Sequence, residues 1–164
     1  MARNQSGSAA LTKPRALRAT AQEHPPPLEI VSGTREISLP KDHFITRNGR
    51  TYAGDHLIID LWEAEDLDDR DLVEQALIDA VKASGATLLH IHLHKFEDGG
   101  GISGVAVLSE SHISVHTWPE KGYAAFDAFM CGDAEPRNTI PVLKAAFNAK
   151  RVVIGNILRG EKPL

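Results

Sequence analysis

The pattern of the chain predicts an α+β fold, a two-layer α/β sandwich with two helices over one face of a largely antiparallel sheet. Three observations carry this. Apolar stripes at helical spacing occur twice, within 72–81 and 136–148; short β-rich or alternating stretches occur six times; and the order runs strand–helix, then several strands, then helix–strand. The 164 residues are 42% hydrophobic and 24% charged, which suits one domain able to hold its core without disulfides or structural metal.

Each element follows from local signals. Residues 1–27 hold Ser6, Gly7, Ser8, Pro14 and Pro25-Pro26-Pro27 with few large apolar side chains, so they are expected to be disordered. Their early Arg3, Lys13, Arg15 and Arg18 match the composition of organelle transit peptides as well as that of untargeted basic leaders. Residues 28–50 read as a loosely attached segment ending in the Asn48-Gly49 turn, which leaves a basic leader over 1–50 and a folded domain over 51–164. His56–Trp62 reads as a strand. The acidic stretch 63–71 leads into a helix with Leu72, Val73, Ala76, Leu77, Ala80 and Val81 on one stripe, stopped by Gly85. Thr87–Phe96 alternates, with Leu89, Ile91 and Leu93 on one face and His90, His92 and His94 on the other. Gly99-Gly100-Gly101 is a turn, and 104–108, 113–118 and 123–131 are short strands. A helix over 136–148 buries Val142, Leu143, Ala146 and Phe147, and 151–158 closes as a strand. Two helices hide one face of this sheet; a homodimer packed sheet to sheet, a four-layer α/β/β/α sandwich, would cover the other.

Charge divides along the chain, +4 over residues 1–50 and −8 over 51–164. An acidic body argues against nucleic acid as the main partner and tolerates a cationic substrate. No apolar run approaches the ~20 residues of a membrane span. The single Cys131 is either a small buried hydrophobe or a reactive thiol in a reducing compartment, so the expected location is the cytoplasm.

The chemically capable residues crowd into 96–131. Ser111, His116 and Asp127 supply the residue types of a nucleophile, base and orienting acid, although no G-x-S-x-G elbow surrounds either Ser103 or Ser111. His90, His92 and His94 share a strand face and could ligate a metal, or pack and hydrogen-bond on the exposed or dimer-facing side. The triple glycine lacks the Lys-Ser/Thr of a phosphate loop. Trp118 and Phe96 are by default core or interface aromatics.

Taken together, Ile102-Ser103-Gly104, Ser109-Glu110-Ser111-His112, His116-Thr-Trp-Pro-Glu120, Gly122-Tyr-Ala-Ala and Cys131-Gly132 resemble the pyruvoyl-dependent S-adenosylmethionine decarboxylase proenzymes of the bacterial and archaeal type, and the likeness runs from about Gly54 to Arg159. The loop 97–102 is about one residue longer than in many relatives. The resemblance implies self-cleavage between Glu110 and Ser111, giving a β chain of residues 1–110 and an α chain of 111–164 that begins with a pyruvoyl group made from Ser111. It implies that this covalent cofactor forms a Schiff base with the substrate amine. His116 becomes the proton acceptor in processing, Ser103 assists processing by hydrogen bonding, and Cys131 is the proton donor in catalysis. Phe96, Trp118 and Glu120 become substrate-binding residues. No metal or pyridoxal phosphate is then needed, since the keto group serves as electron sink.

The implied product is decarboxylated S-adenosylmethionine, the aminopropyl donor of spermidine synthesis, made by a homodimer of processed protomers. Arginine or ornithine decarboxylation on the same scaffold, and an inactive regulatory paralogue, are the alternatives.

Overall fold

The computed structural model describes residues 43–97 and 100–161. The expectations for 1–42 and for Gly99 lie outside these residues. Within the described residues, eight strands and two α-helices follow in chain order: β1 (Ile45–Arg47), β2 (Arg50–Tyr52), β3 (Gly54–Trp62), α1 (Arg70–Ser84), β4 (Leu88–Lys95), β5 (Ile102–Leu108), β6 (Ser111–Trp118), β7 (Tyr123–Met130), α2 (Thr139–Ala146) and β8 (Arg151–Arg159). β1 and β2 form a small hairpin. The other six strands make one sheet in the order β4-β5-β6-β7-β3-β8, antiparallel at every pair.

Strand alternation decides the layers. Leu57, Ile59 and Leu61 of β3, Ile113 and Val115 of β6, and Ala124, Phe126, Ala128 and Met130 of β7 are buried beneath the helices. Helix α1 meets them with Val73, Leu77, Ala80 and Val81, and α2 with Leu143; the Phe126 and Phe147 rings lie 5.9 Å apart. Each large side chain buried here contributes about 2 kcal/mol of transfer free energy. The ends of α1 are set by short-range chemistry: the Asp69 carboxylate accepts from the Asp71 and Leu72 amides at 3.0 and 3.1 Å, and Gly85 takes the left-handed φ of 75° that closes the last turn. Neither helix is long and apolar enough to cross a membrane.

Three details depart from the sequence reading. A register shift between Leu88 and His90 drops Leu89 out of the alternation, leaving it 63% exposed while Leu93 stays buried. The expected helix over 136–148 divides into a 3-10 turn at Pro136–Asn138 and α2, because Pro141 has no amide to give the Arg137 carbonyl and the chain tightens ahead of it. Asn48-Gly49 is the expected turn, but it joins two paired strands. That hairpin is fastened to the body by buried Ile45 and Tyr52, by Arg47 to Glu135, and by Arg50 to Glu161. The face of the large sheet opposite the helices carries exposed Ile58, Val107, Trp118, Val153 and Ile157.

Candidate active site

Residues drawn together by sequence fall into two groups at opposite ends of β6. At one end, β5 and β6 set Ser103 directly opposite His116, with Ser103 Oγ 2.8 Å from His116 Nδ1. They line a cleft of about 500 Å³ with Phe96, Gly101, Thr117, Trp118 and Glu120. Thr117 fixes its floor: its buried hydroxyl donates to the Leu67 carbonyl and accepts from the Ile102 amide, both at 2.8 Å. A side chain at Gly101 would meet the Thr117 carbonyl at 2.7 Å. Neither Phe96 nor Trp118 is a core residue; they are 50% and 41% exposed and flank the cleft. Trp118 stacks on Tyr123, which lies on Trp62, over which the Arg151 guanidinium sits. This aromatic row went unread in the sequence, and only the pairing of β6, β7, β3 and β8 assembles it. Tyr123 donates to Asp60 at 2.7 Å, and burial followed by that carboxylate pushes its phenol up to about 12.

At the other end, β5 turns into β6 through Ser109 and Glu110, and Glu110 has a φ of 66°, a left-handed conformation that costs a residue with a side chain about 1–2 kcal/mol. Ser111 follows, its Oγ accepting from the Cys131 amide at 3.2 Å. The half-buried Cys131 lies just past the end of β7. Burial, then the Glu110 carboxylate, pushes its thiol up, against a hydrogen bond from Ser111 that lowers it. A proton is therefore kept on sulfur at neutral pH.

Between the two ends, Asp127 accepts from Ser114 at 3.1 Å and lies 3.3 Å from His56 Nε2, without an aligned hydrogen bond to that nitrogen. His112, beside His56, is held below the usual imidazole range by burial first and His56 second.

The serine-hydrolase arrangement is overturned: His116 pairs with Ser103, Asp127 with Ser114 and His56, and Ser111 with the Cys131 amide. His90, His92 and His94 are exposed on β4, and among the described residues no group of three or more His, Cys, Asp or Glu is placed to hold a metal ion. The separation of the two ends matters most. Ser111 and His116 are five residues apart on one extended strand, about 17 Å, so neither side chain reaches the other within one protomer.

Comparison with known proteins gives the following. The family model of S-adenosylmethionine decarboxylase matches residues 55–160. The chain is similar to an S-adenosylmethionine decarboxylase proenzyme of Methanococcus maripaludis strain C7, 50% identical over 110 residues that cover 65% of this chain and 89% of the relative. It is also similar to one of Thermomicrobium roseum, 45% identical over 108 residues covering 65% and 93%. Among solved structures, the adenosylmethionine decarboxylase from Aquifex aeolicus aligns with a TM-score of 0.58 at 30% identity, covering 66% of this chain and 92% of that one.

Proposed function

The chain belongs to the S-adenosylmethionine decarboxylase family, and from that premise we propose that it cuts itself between Glu110 and Ser111 and then removes carbon dioxide from S-adenosylmethionine, supplying an aminopropyl donor for spermidine synthesis. The observation that carries the reading is the setting of Ser111. It opens a strand directly after a left-handed Glu110, with its hydroxyl held by the Cys131 amide.

The cut balances without an oxidant. The Ser111 hydroxyl adds to the Glu110 carbonyl carbon and the C–N bond breaks, converting the amide to an ester and freeing the amine. Loss of the Ser111 Cα proton to a base expels Glu110 as a carboxylate by cleavage of the Cβ–O bond. The remaining enamine takes up water and releases ammonia, leaving a keto group at the head of residues 111–164 and a β chain ending at Glu110. That group supplies the electron sink that decarboxylation of an α-amino acid requires. The residues around Ser111 fit it: the neighbouring Cys131 thiol is neutral and protonated, as an acid that returns a proton to the substrate Cα must be. Phe96 and Trp118 offer ring faces for the adenine, and Glu120 a carboxylate for the ribose or the cationic sulfonium.

His116 is the base for the Cα proton and Ser103 its hydrogen-bonding partner, but about 17 Å separates His116 from Ser111 in the same chain. A second copy laid antiparallel across the uncovered face removes the difficulty. It puts one protomer's Ser103–His116 cleft against the other's Ser111–Cys131 end, and covers Ile58, Val107 and Trp118. Processing and turnover then belong to a homodimer, in a four-layer α/β/β/α sandwich.

Mixed expression tests this. Ser111→Ala and His116→Ala chains each stay uncut alone. Mixed dimers pair an intact Ser111 with an intact His116, so the His116→Ala chain is cut, giving pieces of 1–110 and 111–164 by mass. Absence of cutting in the mixture overturns the shared site, and an uncut wild-type chain in active protein overturns the reading as a whole.

A further inference from the structure

The hairpin β1–β2 and His43 before it precede the matched family segment, which begins at residue 55, and His43 touches the side chain of Glu110, the residue on the carbonyl side of the proposed cut. His43 Nδ1 lies 2.6 Å from Glu110 Oε2. The His43 carbonyl is itself held, accepting from the Gly132 amide at 3.1 Å. The preceding amide, that of Cys131, donates to Ser111 Oγ. Two successive amides past the end of β7 thus hold both sides of the scissile bond. One fixes the hydroxyl that attacks, and the other fixes the residue that grips the side chain of the carbonyl donor.

We infer that His43 is a positioning residue for self-cleavage, holding the Glu110 carboxylate so that the Glu110–Ser111 peptide stays in its left-handed approach to the Ser111 hydroxyl. The inference rests on the cleavage proposed above. Its physical sense lies in the φ of 66° at Glu110: the closing Leu108–Ser111 pair sets the turn, the conformation is costly for a residue with a side chain, and a grip on that side chain from outside the turn adds to its hold. His43 is in turn kept in place by the hairpin that follows it. Ile45 and Tyr52 are buried there, Arg47 pairs with Glu135, and Arg47 Nη1 lies 3.8 Å from Asp55. The segment before the family domain thereby becomes a brace for the processing turn.

The His43 and Glu110 side chains are 39% and 51% exposed, so the effect is a change in rate and not an on-off requirement. The pair is worth up to roughly a fivefold change. The test follows the first-order conversion of freshly made full-length proenzyme into two pieces on a denaturing gel, for wild type, His43→Ala, Glu110→Ala and the double variant. Slowing of about fivefold in His43→Ala, with the double variant no slower than the slower single, supports the inference. Multiplying effects overturn it, because His43 then acts through the fold and not through Glu110.

Two more variants hold if His43→Ala folds poorly. His43→Gln keeps an N–H for the carboxylate and is expected to cut near the wild-type rate, whereas His43→Leu keeps bulk without a donor and is expected to be slow. Equal rates in those two overturn the inference. A wild-type chain that never cuts overturns instead the cleavage itself, so the two failures are distinct.

Discussion

Ser103 Oγ and His116 Nδ1 meet at 2.8 Å across β5 and β6, while Ser111, the residue on which His116 acts in the proposed reaction, stands at the far end of the same β6. One strand thus carries both halves of the chemistry and keeps them apart.

If a second copy closes that distance, charges on the uncovered face must prevent cutting. Ile58→Lys and Val107→Lys lie on exposed parts of β3 and β5, 39% and 40% accessible, Ile58 midway along its strand opposite Asp127 and Val107 opposite His112. Each is expected to sediment as a folded monomer and to remain one uncut chain. A monomer that cuts at the normal rate contradicts the shared site.

Cys131→Ala is expected to permit cutting and to slow turnover by roughly 10² to 10⁴, the usual worth of a placed acid. The thiol must carry its proton to act, and burial and Glu110 raise its pKa. Activity is therefore retained as pH rises through the ordinary thiol range and lost above it. Glu110→Gln removes the carboxylate contribution and should lower the pH at which the Cys131 thiol of the uncut chain becomes reactive toward an alkylating reagent.

Thr117→Val leaves the Leu67 carbonyl and the Ile102 amide without their partner in a buried place. A loss of about 2 kcal/mol in urea unfolding is expected. The cleft floor loosens with it, so KM should rise more than kcat falls.

His112 contributes a dependence on acid. Its folded-state pKa is lowered, so below about 6.5 the unfolded chain binds more protons than the native one. The contribution is fully present above that pH and is lost as pH falls through the lowered value. Unfolding midpoints between pH 7 and 5 should fall less steeply for His112→Gln than for wild type. An unchanged slope contradicts the assignment.

Periodicity made most of this molecule legible. The β-rich runs 56–62 and 123–131 and the stripe of α1 are local properties, and the pairing of strands keeps them. Leu89 escaped because one inserted residue reverses which face follows, and no composition signals the insertion. β1 and β2 have three residues each, too few for a period to register. Tyr123–Asp60 and the Trp118–Tyr123–Trp62 row depend on β7 pairing with both β6 and β3, a matter of topology. Closeness in sequence misled in one respect. Ser111 and His116 look like neighbours, yet an extended backbone spends its length separating them.

The strand order gives the severed molecule no seam along which to open. A break after Glu110 assigns β3, β4 and β5 to one product and β6, β7 and β8 to the other, yet β3 is wedged between β7 and β8, and β5 still grips β6. The fragments are interlaced like fingers of two hands. Cutting there would therefore create two new ends and leave the shape around them intact: two bands in detergent, one particle in buffer.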